Sequence, residues 1–395
     1  MTLRNLWRSR LLRSGARRWL ALALAAVQFS ALAVTALQPA GDDEVLEVLP
    51  AVTRSRPARA TASASAAPAD QAAAVLVARQ DIAVARQTGD TRYWGRAQAV
   101  LAPWWDKPDA PADLAVLQAT VQQGRHEFDA SRKVLVAALA AAPGHAQGWL
   151  NLAALERLTA HYAEALRACD AVARAGQALY AEACRLETRS LQGQHADATR
   201  GLQALLAQTT DAAQGSWLWS LLAESQERAG NDVAAAQAYT RSLALEHDLY
   251  TAIAWSDLLL RTGKPGQALQ VLAALPETDA VLLRRATAWR RLGDTRWVAT
   301  RTLLQERAAE LLRRGDDSAL HGREAALAAL WLDDQPAQAL ELARRNLRLQ
   351  REPLDWWVAL QSARAAKDTA AMAELGSAVR AAGLVDVRLA LGPPR

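Results

Sequence analysis

The sequence predicts an all-α chain, an α-solenoid of about nine stacked helical hairpins. Three observations predict it. Hydrophobic residues make up 51% of the 395 residues, and Ala and Leu, both strong helix formers, dominate them. Small and bulky residues recur together at a spacing of about 34 residues, the length of two short helices and two turns. Between these positions the charges are mixed in sign, as on the outer faces of amphipathic helices.

The chain opens on a different composition. Six of the 46 basic residues and none of the 41 acidic ones lie in residues 1–36, and an uncharged run, Trp19 to Leu37, closes this segment. A charged start followed by an apolar stretch and small residues is the layout of a secretory signal, with Val34-Thr35-Ala36 as the exit. Nineteen residues at about 1.5 Å each also approach the thickness of a bilayer core, so a retained anchor stays open beside a cleaved signal. Arg17-Arg18-Trp19-Leu20 matches a twin-arginine signal only in part. Each version places the body outside the cytoplasm, in a periplasm or its equivalent, with membrane contact only through residues 1–37. Residues 38–69 read as a flexible Ala/Ser/Pro-rich linker with no apolar period.

Charge argues against nucleic acid as a partner. The linker holds three basic and four acidic residues, which leaves 37 of each from residue 70 onward. The formal net charge of +5 therefore belongs to the N-terminal segment, and the body has no positive excess to neutralise phosphates.

The repeat is most legible around Trp149, Leu152, Ala153, Tyr162, Ala165, Leu166, Cys169 and Val172. It returns as Trp219, Leu222, Ala223, Gly230, Ala235 and Tyr239, then as Trp255, Leu259, Gly263, Ala268 and Leu269, then as Ala286, Trp289 and Gly293. Ala85, Ala119 and Ala153 lie 34 apart, as do Trp94, Phe128 and Tyr162, and Ala97, Ser131 and Ala165. Ala339 and Ala373 keep the interval near the end, beside Trp357 and Leu360. The small residues belong where two helices cross, because a larger side chain would hold the axes apart. Units are expected at 78–111, 112–145, 146–179, 180–213, 216–248, 249–278, 279–314, 320–353 and 354–387. The fourth is irregular, with Glu187 at a small position, and the second helix of the seventh is expected to be lengthened. The solenoid spans 70–387, and 388–395 forms a tail, with fraying expected from Leu384.

These positions, with Pro143 at a unit's end, resemble the tetratricopeptide repeat over about 310 residues. The resemblance implies a right-handed α-solenoid whose first helices line a concave groove that receives a peptide or helix. It places Arg157, Glu224, Glu227, Asp257, Arg261, Thr287 and Arg290 on or near that groove, with Trp217 as a candidate contact. The Lys/Asn cluster with which some members hold a C-terminal carboxylate is not formed, so that specificity is not expected. Trp149, Trp219 and Trp357 read as structural, which leaves Trp356 the freer of its pair.

No constellation for catalysis is legible. None of the six histidines pairs at helical spacing for a metal, and no HExxH, GxGxxG, P-loop, GxSxG or CxxC occurs. Asp316-Asp317 and Asp333-Asp334 read as turn acids. Cys169 and Cys184 read first as free buried thiols; stacking could unite them, and an exported body would permit a disulfide. The expected function is a non-enzymatic scaffold or adaptor that binds another protein, without cofactor or metal. The alternative is an anchored accessory subunit of an envelope secretion, cell-wall or cofactor-assembly machine.

Overall fold

The computed structural model of the chain describes residues 68–313 and 322–390. The expected signal or anchor, nearly all of the expected linker, Asp316-Asp317 and residues 391–395 lie outside the described residues. The described residues form nine helical hairpins and no strand. The pairs are α1 (Pro68–Thr88) with α2 (Arg92–Leu101), α3 (Ala112–Gly124) with α4 (Phe128–Ala141), and α5 (Ala146–Leu158) with α6 (Tyr162–Arg174). Next come α7 (Ala178–Leu191) with α8 (His195–Gln208), α9 (Ala212–Arg228) with α10 (Asp232–Leu245), and α11 (Leu249–Arg261) with α12 (Pro265–Leu272). The last three are α13 (Asp279–Arg291) with α14 (Arg296–Arg313), α15 (Gly322–Trp331) with α16 (Pro336–Asn346), and α17 (Pro353–Ala365) with α18 (Thr369–Ala381). The expected lengthening of the seventh second helix is seen in α14, at 18 residues.

One backbone device recurs in all nine hairpins. The turn between the two helices holds a residue with positive φ: Gly89, His126, Ala160, Gly193, Gly230, Gly263, Gly293, Asp334 and Lys367. Such a residue ends a helix by turning its last carbonyls onto nearby N–H groups. At Ala160 this is visible as Ala160 N–H to Arg157 O at 3.0 Å and His161 N–H to Glu156 O at 2.7 Å.

The small positions of the sequence pack the helix crossings. Ala85, Ala119, Ala153, Ala165, Ala223, Ala235, Ala268 and Ala339 are all buried, as are Tyr162 and Tyr239. Trp149, Trp219 and Trp357 are half-buried. Trp149 is pinned by its indole N–H, which donates to Pro143 O at 2.9 Å.

Several expectations are corrected. In the fourth unit Leu186, not Glu187, fills the crossing, and Gly201 opposite makes the room: a Cβ there would lie 2.5 Å from Leu186 Cδ2. Glu187 points outward from this crossing and pairs with Arg157 at 2.8 Å. Ala373 is exposed, and Ala371 and Leu375 pack inward in its place, because α18 starts from its Asp368 cap one position out of register with α16. The Trp356–Trp357 pair is reversed. Trp356 is the buried member, donating to Arg351 O at 3.1 Å, while Trp357 meets Trp331 edge-on. Cys169 and Cys184 are not free thiols: they form a disulfide between α6 and α7, with Cα atoms 5.6 Å apart.

First helices stack on first helices: α1 on α3, then α5, α7 and α9, and later α11 on α13, α15 and α17. The step from α9 to α11 breaks this run: the two backbones pack less closely and are bridged by the Arg261–Glu227 and Tyr250–Glu224 side chains. The stack also curls until it meets itself. The turn at Gly89 in the first hairpin reaches Thr278, between the sixth and seventh. Arg351 N–H, before α17, donates to Leu158 O at the end of α5 at 2.7 Å. Val385 N–H donates to Leu191 O at the end of α7 at 2.9 Å. The segment from Leu384 is therefore ordered rather than frayed up to Ala390: Leu384 and Leu389 are buried, and Val387 packs on Gly230.

Candidate binding pocket

The residues expected along the groove divide into two groups. Most are absorbed by contacts between neighbouring hairpins. Arg284, 1% exposed, makes a two-pronged pair with Asp257, Nε to Oδ1 at 2.9 Å and Nη2 to Oδ2 at 2.8 Å. Burial raises the Asp257 carboxyl, and the Arg284 charge offsets part of that rise. Arg261 bridges Glu227 and Asp232. Glu227 also receives Arg388 at 2.8 Å and the Tyr239 hydroxyl at 3.1 Å. Arg290 donates to Trp331 O and Asp334 and lies over the Trp297 ring. Thr287 is a core residue, 2% exposed, whose hydroxyl donates to Leu283 O one turn back. Its helix lines the groove side, but the residue itself faces the adjoining helices.

Arg157, Trp217 and Glu224 do converge. They line one pocket of about 320 Å³, on the side formed by the first helices α5, α7, α9 and α11. The pocket occupies the space opened where α9 and α11 part. α9 supplies Trp217 and, two turns on, Glu224, so both point the same way at helical spacing. α11 begins at an Asp248 cap, whose carboxylate accepts from Thr251 N–H at 2.9 Å, and this sets Tyr250 at the rim.

Trp217 stacks against Tyr180 of α7 at 5.5 Å between ring centres. The Tyr250 ring is 61% exposed, yet its hydroxyl donates to Glu224 Oε1 at 2.8 Å. Burial raises the Glu224 carboxyl, opposed by Arg228 behind it at 3.4 Å. The Glu224 charge in turn pushes the Tyr250 phenol well above its ordinary value. Four carboxylates line the pocket, from Glu187, Glu224, Glu246 and Asp248, against the single guanidinium of Arg157.

Sequence reasoning missed Tyr250 and Glu246. Tyr250 stands at the start of its helix, outside the repeated positions, and its rim location follows from the α9–α11 gap, which no spacing signals. Among the described residues no cluster of His, Cys, Asp or Glu gathers to hold a metal, and no helix is long and apolar enough to cross a membrane.

These features define a solenoid of stacked helical hairpins with one aromatic and acidic pocket on its first-helix side. In comparison with known proteins, the chain matches no family model and no curated protein.

Proposed function

We propose that the chain is a non-enzymatic scaffold or adaptor that holds a segment of another protein on the first-helix side of its stack. The observation that carries this reading is the pocket between α9 and α11, where Trp217 and the exposed Tyr250 border a concave space. Aromatic side chains with one apolar face and one polar handle are enriched at the centres of protein interfaces. The tetratricopeptide-like register of small and aromatic residues supports the same use. The N-terminal Arg-rich segment and uncharged run support export, and the Cys169–Cys184 bond fits an oxidising compartment such as the periplasm.

A photo-crosslinking residue at exposed Ala213, on the pocket, tests the reading in cells. A discrete protein adduct is expected from position 213 and not from position 233, whose exposed Val233 lies on the α10 side. Trp217→Ala should abolish it. Absence of any adduct at 213 rejects the proposal.

The nineteen uncharged residues from Trp19 to Leu37 favour a second reading, a membrane-anchored accessory subunit of an envelope machine. Recovery of a soluble mature form that begins near Leu37 would remove it.

A further inference from the structure

We infer that the pocket between α9 and α11 recognises a basic side chain, arginine or lysine, presented by the partner segment. This inference rests on the protein-binding reading above and adds the chemistry of the guest.

Three independent features of the pocket lead to it. The first is shape. Among the described residues the other first helices pack on their successors, whereas the α9–α11 step borders an open space of about 320 Å³, large enough to take in a single long side chain.

The second is the aromatic wall. Trp217 and Tyr250 both line the space, with Trp217 packed against Tyr180 at 5.5 Å between ring centres and Tyr250 61% exposed at the rim. A cation over the face of such a ring is attracted by its quadrupole. The chain uses the same chemistry within itself: Arg241 lies 4.6 Å from the Trp219 ring centre, and Arg296 lies 4.8 Å from that of Trp289.

The third is charge. The lining carries four carboxylates against one guanidinium. Arg157 is held by Glu187 at 2.8 Å, and the buried Arg228, outside the lining, pairs with Glu224 at 3.4 Å and donates to Ser190. Glu246 is exposed at the mouth and has no ion pair among the described residues. An incoming cation meets Glu246 unopposed and then Glu224, whose Oε1 accepts from the Tyr250 hydroxyl and whose Oε2 faces Arg228 at 3.4 Å. An anion would face the same carboxylates, with no unpaired cation among the described lining residues to receive it. The N-terminus of α11, which could attract an anion, is already capped by Asp248.

The test uses acetyl-Gly-Arg-Gly-amide, the lysine peptide, and the citrulline peptide, which keeps the arginine shape without its charge. Binding to the full chain is followed through the Trp217 indole N–H resonance, assigned by its loss in Trp217→Phe. The arginine and lysine peptides are expected to shift it at concentrations about tenfold below the citrulline peptide. Glu246→Gln, an exposed change that leaves the fold intact by circular dichroism, should weaken the charged peptides several-fold and leave citrulline unchanged. Equal binding of charged and uncharged peptides, no shift of Trp217 by any of them, or indifference to Glu246→Gln overturns the inference. A partner adduct from position 213 that persists under those results would leave the scaffold reading standing without it.

Discussion

Arg388, two residues before the end of the described chain, places its Nη1 2.8 Å from Oε1 of Glu227, at the end of α9. The same guanidinium is gripped by Asp386, with Nε to Oδ1 at 2.9 Å, and both partners are almost wholly removed from water. Burial of the arginine works against its charge, but the carboxylates beside it prevail and hold its pKa well above the usual value. This contact fastens the last residues onto the fifth hairpin, next to the Val385–Leu191 hydrogen bond. Arg388→Ala should therefore loosen the closure, with a loss of about 2–3 kcal/mol, typical of hydrogen bonds to charged groups. Glu227→Gln should lose a similar amount, about 2–3 kcal/mol, because Arg261 and Arg388 each give up one of two carboxylate partners and keep Asp232 and Asp386. Urea denaturation measures the loss, and a rise in the radius of gyration by small-angle scattering shows the opening. An unchanged radius in both variants would mean that the segment around Arg388 stays docked on the fifth hairpin without this pair.

The Cys169–Cys184 bond closes a short loop, with a sequence separation of 15, between the third and fourth hairpins. A loop of that size stabilises by about 3 kcal/mol in the chain-entropy account. Reduction should lower the melting temperature of the wild type and leave Cys169→Ala/Cys184→Ala unmoved. An equal response of both to reductant would show that the bond does not form.

Much of this architecture is legible in the sequence, for a definite reason. The crossing of two helices demands a small residue, and Ala85, Ala119 and Ala153 announce it at intervals of 34. Where the demand is met from the other side, the signal vanishes: Leu186 occupies a crossing because Gly201 faces it. Sequence spacing assigns the groove residues to a helix, which gives the side of the stack but not the partner. Asp257 and Arg261 lie on the expected helix, yet each is consumed by a neighbouring hairpin. Closure was invisible because Leu158, Leu191 and Val385 contribute backbone atoms, which carry no sequence signature.

The Asp257–Arg284 pair predicts an asymmetry between single and double replacement. Asp257→Asn leaves a guanidinium that is 1% exposed without its counter-charge, a loss of about 3–5 kcal/mol. Asp257→Leu/Arg284→Met removes both charges and should return stability to within about 1 kcal/mol of the wild type. Chemical denaturation of the three proteins decides it. A double variant no better than the single would show that the pair is needed for packing rather than for charge balance.

Glu224 predicts a pH dependence of defined sign. Burial raises its carboxyl in the folded state, so the folded chain holds that proton more tightly than the unfolded one. Its contribution to stability is full below the ordinary carboxyl range and is lost as pH climbs through the raised value. Asp90 behaves oppositely: the hydrogen bond from Arg92 lowers its pKa, so its contribution is lost as pH falls. Subtracting the Glu224→Gln profile from that of the wild type isolates the first effect. The difference should turn against the wild type as pH rises from about 4 toward 7. A difference that favours the wild type with rising pH would mean that Arg228 outweighs burial.

The mid-hairpin turns predict two substitutions of opposite sign. Ala160 sits at φ +63°, where its Cβ crowds the following carbonyl at a penalty of about 1–2 kcal/mol. Glycine removes that penalty and adds freedom to the unfolded chain, so Ala160→Gly should stabilise by about 0.5–1 kcal/mol net. Gly230 holds φ +81°, and a Cβ there would lie 2.9 Å from Val387 Cγ2 of the closing segment. Gly230→Ala therefore meets the backbone penalty and the clash together, and should destabilise by about 2 kcal/mol or more. Repeating it with Val387→Ala separates the two causes: the clash is relieved and the backbone penalty stays. Recovery of the full loss in that double variant would assign the whole effect to the closure contact, and no recovery would assign it to the turn.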